Sequence, residues 1–298
     1  MAQLDGCELA KLVNAYTVER SPKSVTVPNA NQLASYRDVT VTGTLLPRRI
    51  MEIDPDGSTR TAKPPSQKLG DSYPMQADGD VHFGIGCANE ESHVACEIQK
   101  AKGHWHQKIN ESIGNQVTVA GFFRCLFEHP GFSKGADAHI FEIHPVRAID
   151  FGDGQGLVSL DVEKPEPQSI HKWIETAKRR NLNKEDAKTD VAFDQGTDSL
   201  TFTGMKGMDL NYVLVKGTAS DIQPNTNSED PATFTFDSPQ ITNRVTVSCL
   251  KATGALFALE GLKNKSRIEM VALRNIDLSE AMNGNYVINL LAIDIQAV

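Results

Sequence analysis

The feature that most constrains this chain is that its strand pattern occurs twice. Alternation of apolar and polar residues begins after Asp38, where Val39, Val41 and Gly43 lead into Leu45, and begins again at Tyr212, where the run to Ile222 repeats the plan. The two units also end alike, Arg147-Ala148-Ile149-Asp150-Phe151 against Leu291-Ala292-Ile293-Asp294-Ile295. A spacing of about 150 residues is that of a duplicated domain, since solenoid repeats recur at roughly 20–50 residues. With 298 residues, each unit is long enough to bury a core of its own.

The first unit reads as strands near 39–45, 81–85, 93–98, 117–123 and 140–149. A long loop over 47–78, rich in proline, follows the first strand, and a short helix over 105–113 separates the third from the fourth. The second unit gives strands over 212–222, 232–236, 244–250, 267–276 and 285–295, with a helix over 255–262 in the same place. Five strands with a helical insert after the third is the order of an OB fold, whose binding face is made by strands two and three and the loops after strands one and four. The expected architecture is therefore all-β: two tandem OB-type five-stranded barrels joined by a linker with one amphipathic helix. A lead-in over 1–36 carries a short helix near Glu8–Tyr16. The first barrel spans 37–153, the linker 154–204 and the second barrel 205–298. In the linker, Ile170, Trp173, Ile174 and Ala177 share one face of a helix over 169–181 that Ser169 can cap.

Charge and cysteine content narrow the function. The formal net charge is −8 and the pI about 5.5. Proteins that coat nucleic acid neutralise phosphates with a basic face, so any such face here must be local. No apolar run reaches the roughly 18–20 residues of a membrane span, and Met1–Arg20 has no apolar stretch of the signal-peptide kind. A soluble cytoplasmic protein is the expectation. The cysteines, Cys7, Cys87, Cys96, Cys125 and Cys249, are scattered and form no C-x-x-C pair. That argues against a zinc ribbon and a disulfide framework, and for small buried residues in a reducing compartment.

Seven of the eight histidines lie between His82 and His144, and the second unit has none. If the units share a fold, the fold does not need those imidazoles. Strand alternation puts Asp80 and His82 on one face of strand two, away from Val81, Phe83 and Ile85. It puts His93 and Glu97 on one face of strand three, and sets Glu142 and His144 apart from Phe141 and Ile143 on strand five. His129 falls in the loop after strand four. On a hairpin of strands two and three these polar groups would occupy a solvated outer face. Imidazoles with carboxylates suit a divalent metal, with His82, Glu97, His129 and His144 as ligands, or acid–base work without one. Trp105, between His104 and His106, either stacks on a base or sugar or packs the inserted helix.

Asp78-Gly79-Asp80-Val81-His82, then Glu97, Val117-Thr118-Val119-Ala120-Gly121-Phe122-Phe123, His129 and Glu142-Ile143-His144-Pro145-Val146 follow one another in a distinctive order. This run resembles a group of small bacterial domains with the pattern DGD-x-H … E … V-x-V-x-G-x-F-F … H … E-L/I-H-P-V. The likeness covers residues 39–150. It implies a shared site at Asp80, His82, Glu97, His129, Glu142 and His144 without naming its chemistry. The chain departs from the pattern where His129-Pro130-Gly131 stands in place of His-Gly.

Three functions follow as expectations. The first is an OB-fold binding protein that takes single-stranded nucleic acid or an oligosaccharide on the first barrel. The second is a metal-dependent hydrolase of the phosphodiesterase kind, with its His/Glu/Asp site in the same barrel. The third is a structural or assembly protein, with protein partners or further copies of itself.

Overall fold

The computed structural model describes residues 2–46, 51–53, 59–61, 81–88, 90, 92–99, 103–129, 139–160, 189–205, 212–223, 232–239, 241, 244–250 and 253–298. In chain order the elements are β1 (Ala2–Asp5), α1 (Gly6–Val13), β2 (Thr17–Arg20), β3 (Lys23–Pro28), α2 (Ala30–Ala34), β4 (Asp38–Leu46), β5 (Met51–Ile53), β6 (Thr59–Thr61), β7 (Val81–Gly86), β8 (His93–Ile98), α3 (Gly103–Glu111), β9 (Gln116–His129), β10 (His139–Asp150) and β11 (Val158–Ser159). Then come β12 (Asp190–Asp194), β13 (Ser199–Thr203), β14 (Tyr212–Gln223), β15 (Ala232–Asp237), β16 (Val245–Cys249), α4 (Gly254–Glu260), β17 (Ser266–Ile276), α5 (Leu278–Met282) and β18 (Ile288–Ala297).

The C-terminal strands form a closed barrel in the order β14-β15-β16-β18-β17. Its one parallel contact is between β16 and β18, the third and fifth strands of the unit. The N-terminal strands follow the same circuit: β4 pairs with β7 and β9, β7 with β8, and β10 with β9, while β8 runs parallel to β10. Period-two sequence drives both. In the β7–β8 hairpin, Val81, Phe83 and Ile85 face Ile98, Cys96 and Val94, and all six are buried. In β15–β16, Phe234 and Phe236 face Val247 and Val245 in the same way.

The segments expected as lead-in and linker are more than that. The β2–β3 hairpin pairs with the β12–β13 hairpin to make a sheet in the order β12-β13-β3-β2 among the described residues. Val25, Val27, Leu200 and Phe202 are its buried face. Phe202 meets Phe127 of β9 edge-to-face at 4.9 Å and Tyr286 at 6.2 Å, so the sheet joins the core of the N-terminal barrel. Such short strands, 175 residues apart at the Thr26–Thr201 contact, carry no signal of each other locally. β1 lies parallel to β4 along Val39–Thr42. Helix 169–181 and nearly all of the loop 47–78 lie outside the described residues, apart from the β5–β6 pair.

Two further expectations change. Cys7 and Cys87 are joined in a disulfide that ties α1 to the end of β7, although the cysteine spacing argued against one. The two residues are 80 apart in sequence, so spacing could not pair them. β9 runs through to His129, placing that residue in a strand rather than a loop, because the β9–β10 ladder continues to His139 opposite His129.

Phe202→Ala should cost about 3–5 kcal/mol in urea unfolding, as for any large buried side chain truncated in a packed core; a surface-like loss below about 0.5 kcal/mol would show that the small sheet is peripheral. Cys96, Cys125 and Cys249 are buried free thiols. Burial pushes Cys249 up to about 12, and pushes Cys125 higher still despite the opposing charge of Arg124. A disulfide-exchange reagent at about pH 8 should therefore leave Cys125 and Cys249 unlabelled until the protein unfolds, because only a thiolate reacts.

Candidate functional site

Strand register gathers the residues that are far apart in sequence. His82 stands opposite Glu97 across β7–β8, and Glu142 opposite Arg124 across β9–β10. In the parallel β8–β10 ladder Glu142 faces Ala95. Two residues further along both strands, His144 comes beside Glu97, with Nδ1 2.9 Å from Oε2. The same Nδ1 is 3.2 Å from Glu142 Oε1. The outer oxygens of both carboxylates have imidazoles against them: His82 Nδ1 lies 3.2 Å from Glu97 Oε1, and His139 Nε2 3.4 Å from Glu142 Oε2. Arg124 pairs with Glu142 Oε1. His144 Nε2 lies 3.1 Å from the Tyr212 hydroxyl of β14, in the other barrel.

The alternation that put these groups outside the β-barrel core holds, but the face is not solvated. Side-chain exposure is 0% for His144 and Arg124, 4% for Glu97 and Glu142, 7% for His82 and 11% for His139. The C-terminal barrel covers them. Phe122 of β9 packs with Tyr212, Leu250, Val271, Leu273, Leu291 and Ile293. Two hydrogen bonds stitch the seam between residues 150 apart: Arg124 Nη1 donates to the Arg274 carbonyl at 3.3 Å, and the Cys125 amide donates to Asn275 Oδ1 at 2.9 Å. Single-strand periodicity reports which face a residue is on, not what lies over that face.

Of the residues expected at a site, His82, Glu97, Glu142 and His144 converge. Trp105 does not join them. It is half-buried on α3 and stacks on Phe151 at 6.3 Å, the packing role weighed for it. Asp80 and the side chain of His129 lie outside the described residues. Sequence reasoning missed Arg124, His139 and Tyr212 as members. Arg124 had a signal, a charge in the apolar run Phe122-Phe123-Arg124-Cys125-Leu126, where burial demands a partner. Tyr212 had none, since its role depends on how the barrels meet.

A second, open region faces solvent. A cleft of about 140 Å³ runs between the first barrel, at Tyr36, Arg37 and Phe122, and the outer face of β15–β16, at Thr233, Thr246 and Ser248. Asn275 and Asn289 form its floor. Arg37 is exposed, and half-buried Tyr36 rests edge-to-face on Phe123 at 5.6 Å. Asn289 is held by Asp277, to which its amide donates at 2.6 Å. The cleft thus offers one cation, Arg37, one carboxylate, Asp277, the Tyr36 ring, the Asn275 and Asn289 amides, and hydroxyls on the second and third strands of the C-terminal barrel.

No family of known proteins matches this chain, and no curated protein does. Among solved structures the chain is similar to the single-stranded DNA binding protein from Thermus aquaticus. The wild-type protein is 12% identical, over 88% of this chain and 92% of that one, with a TM-score of 0.23. A deletion mutant of it is 11% identical, over 88% and 94%, with a TM-score of 0.22. The barrel circuits described above rest on their own strand pairings.

Arg124→Leu strands a buried carboxylate and should destabilise the protein by about 3–5 kcal/mol. Adding Glu142→Leu should recover much of that loss, read as coupling in a double-mutant unfolding cycle. Additive losses would mean that the two side chains do not act as a pair.

Proposed function

We propose that this chain is an OB-type binding protein for single-stranded nucleic acid, built from a tandem duplication of one barrel, with the ligand lying in the cleft between Arg37 and the outer face of β15–β16. The observation that carries this reading is that strands two and three of the second barrel are open, while those of the first carry a closed polar cluster. In OB barrels that outer face is where oligonucleotides and oligosaccharides bind. The cleft's groups suit a single strand: Tyr36 for a base, Arg37 for a phosphate, and Thr233, Thr246 and Ser248 for base edges and sugars. An extended strand also avoids the broad basic face that duplex coating requires and that a net charge of −8 denies.

The first barrel, the expected ligand surface, is poorly placed for it, because its histidine and glutamate face is covered. The same burial weighs against hydrolysis at His82, Glu97, His129 and His144, which needs a path for substrate as well as acid–base groups.

Fluorescence anisotropy with labelled single-stranded oligonucleotides across a salt series tests the proposal. Binding should weaken as salt rises, with a shallow slope. Arg37→Ala should reduce that slope by about 0.7, the loss of one phosphate contact on a single strand. Thr246→Glu, a charge on the open face, should abolish binding while leaving the fold intact by circular dichroism. Absence of salt-dependent binding below about millimolar would remove the nucleic-acid reading. Salt-independent binding of an oligosaccharide in its place would reassign the ligand.

A further inference from the structure

The buried cluster under the second barrel has a geometry that ordinary packing does not require. Two carboxylate oxygens, Glu97 Oε2 and Glu142 Oε1, meet His144 Nδ1 at 2.9 and 3.2 Å. One donor atom from each of these three residues lies within 4.8 Å of the others, and all three residues are buried. The three donor atoms are close enough together to share one small cation. Arg124 pairs with Glu142 and His82 with Glu97, so each carboxylate is held on its own side while both turn an oxygen to His144.

We infer that Glu97, Glu142 and His144 bind one divalent first-row transition-metal ion, such as zinc or manganese, in a closed site at the seam between the barrels. The donor set of two carboxylates and one imidazole suits these ions. The surrounding groups are placed as supports of a metal centre are. His82 holds the far oxygen of Glu97, and His139 that of Glu142. Tyr212 sits 3.1 Å from His144 Nε2. With the Nε2–H donating to the Tyr212 hydroxyl, the Nδ1 lone pair is left for the ion. Partners of this kind orient ligands and raise their affinity. The distribution of histidine points the same way. The C-terminal barrel follows the same circuit without a single histidine, so the imidazoles of the N-terminal barrel serve something other than the fold. Since Tyr212 comes from the second barrel, the ion would also fix how the two barrels meet. This inference does not depend on the nucleic-acid proposal.

The test uses the full chain. Elemental analysis is made on protein as purified, and chelator-stripped protein is then titrated with zinc, manganese and cobalt. The expected result is about one ion per chain, with a raised unfolding temperature and a cobalt spectrum of oxygen and nitrogen ligands. Glu97→Gln and Glu142→Gln, nearly isosteric, should lose the ion, and His82→Ala should bind it about tenfold more weakly. Thr246→Glu should keep the ion while losing oligonucleotide, which separates the two sites. Stripped, folded wild-type protein that takes up none of the three metals would overturn the inference. Full affinity retained in Glu97→Gln, or a cobalt–thiolate band that places the ion at cysteine, would overturn it equally.

Discussion

The pairing of Arg124 with Glu142 buries a charge pair at the seam between the two barrels. A carboxylate loses several kcal/mol of solvation when it leaves water, and keeps its place only with a positive partner and further hydrogen bonds. Glu142 finds Arg124 across one strand ladder and His144 two residues away on its own strand. Arg124 reaches on to the carbonyl of Arg274 in the other barrel. The charge pair is thus internal to the first barrel, but its leftover hydrogen-bonding capacity is met by the second. Apolar contact around Phe122 and Tyr212 supplies area, while the polar groups fix the register in which that area meets.

One consequence is that two units with the same circuit become unequal. The barrels touch through their fourth strands, β9 and β17, and the outer surface of the first barrel around β8 and β10 is spent on the seam. The corresponding surface of the second barrel, β15–β16, stays open and is lined by hydroxyls rather than imidazoles. Two strand circuits of the same order thus end with different surroundings, one covered at β8 and β10 and one open at β15–β16. That division explains why the residue types differ so sharply between the units: a covered face tolerates paired charges and imidazoles, whereas an open one carries threonine and serine.

Much of the fold was legible because alternation in β7, β8, β14 and β15 is strong and the sequence spaces the strands as an OB barrel does. Val81, Phe83 and Ile85 declare an inner face on their own. The site was half legible. Clustered histidines and the Glu142-Ile143-His144 run singled out side chains that converge, but not their burial. Whether His144 faces water or Tyr212 is decided by a contact between strands of different barrels, 68 residues apart, on which periodicity is silent. The Cys7–Cys87 bond was hidden for the same reason. The β2–β3 and β12–β13 hairpins were missed because each is too short to bury a face alone, and each reads as loop until the other is beside it.

The small sheet also bears on how the two barrels are joined. β3 lies before the first barrel in sequence and β13 lies between the barrels, yet they pair over five residues, Ser24–Pro28 with Ser199–Thr203. Phe202 from the inter-barrel segment fills space against Phe127 of the first barrel and Tyr286 of the second. A cut at the apparent linker would therefore take one strand pair from its partner and expose apolar residues on both sides. The two barrels share material, since Phe202 packs against residues of both. The seam and the small sheet together make the two barrels one object, and the open face of the second has its shape because the first is held against it.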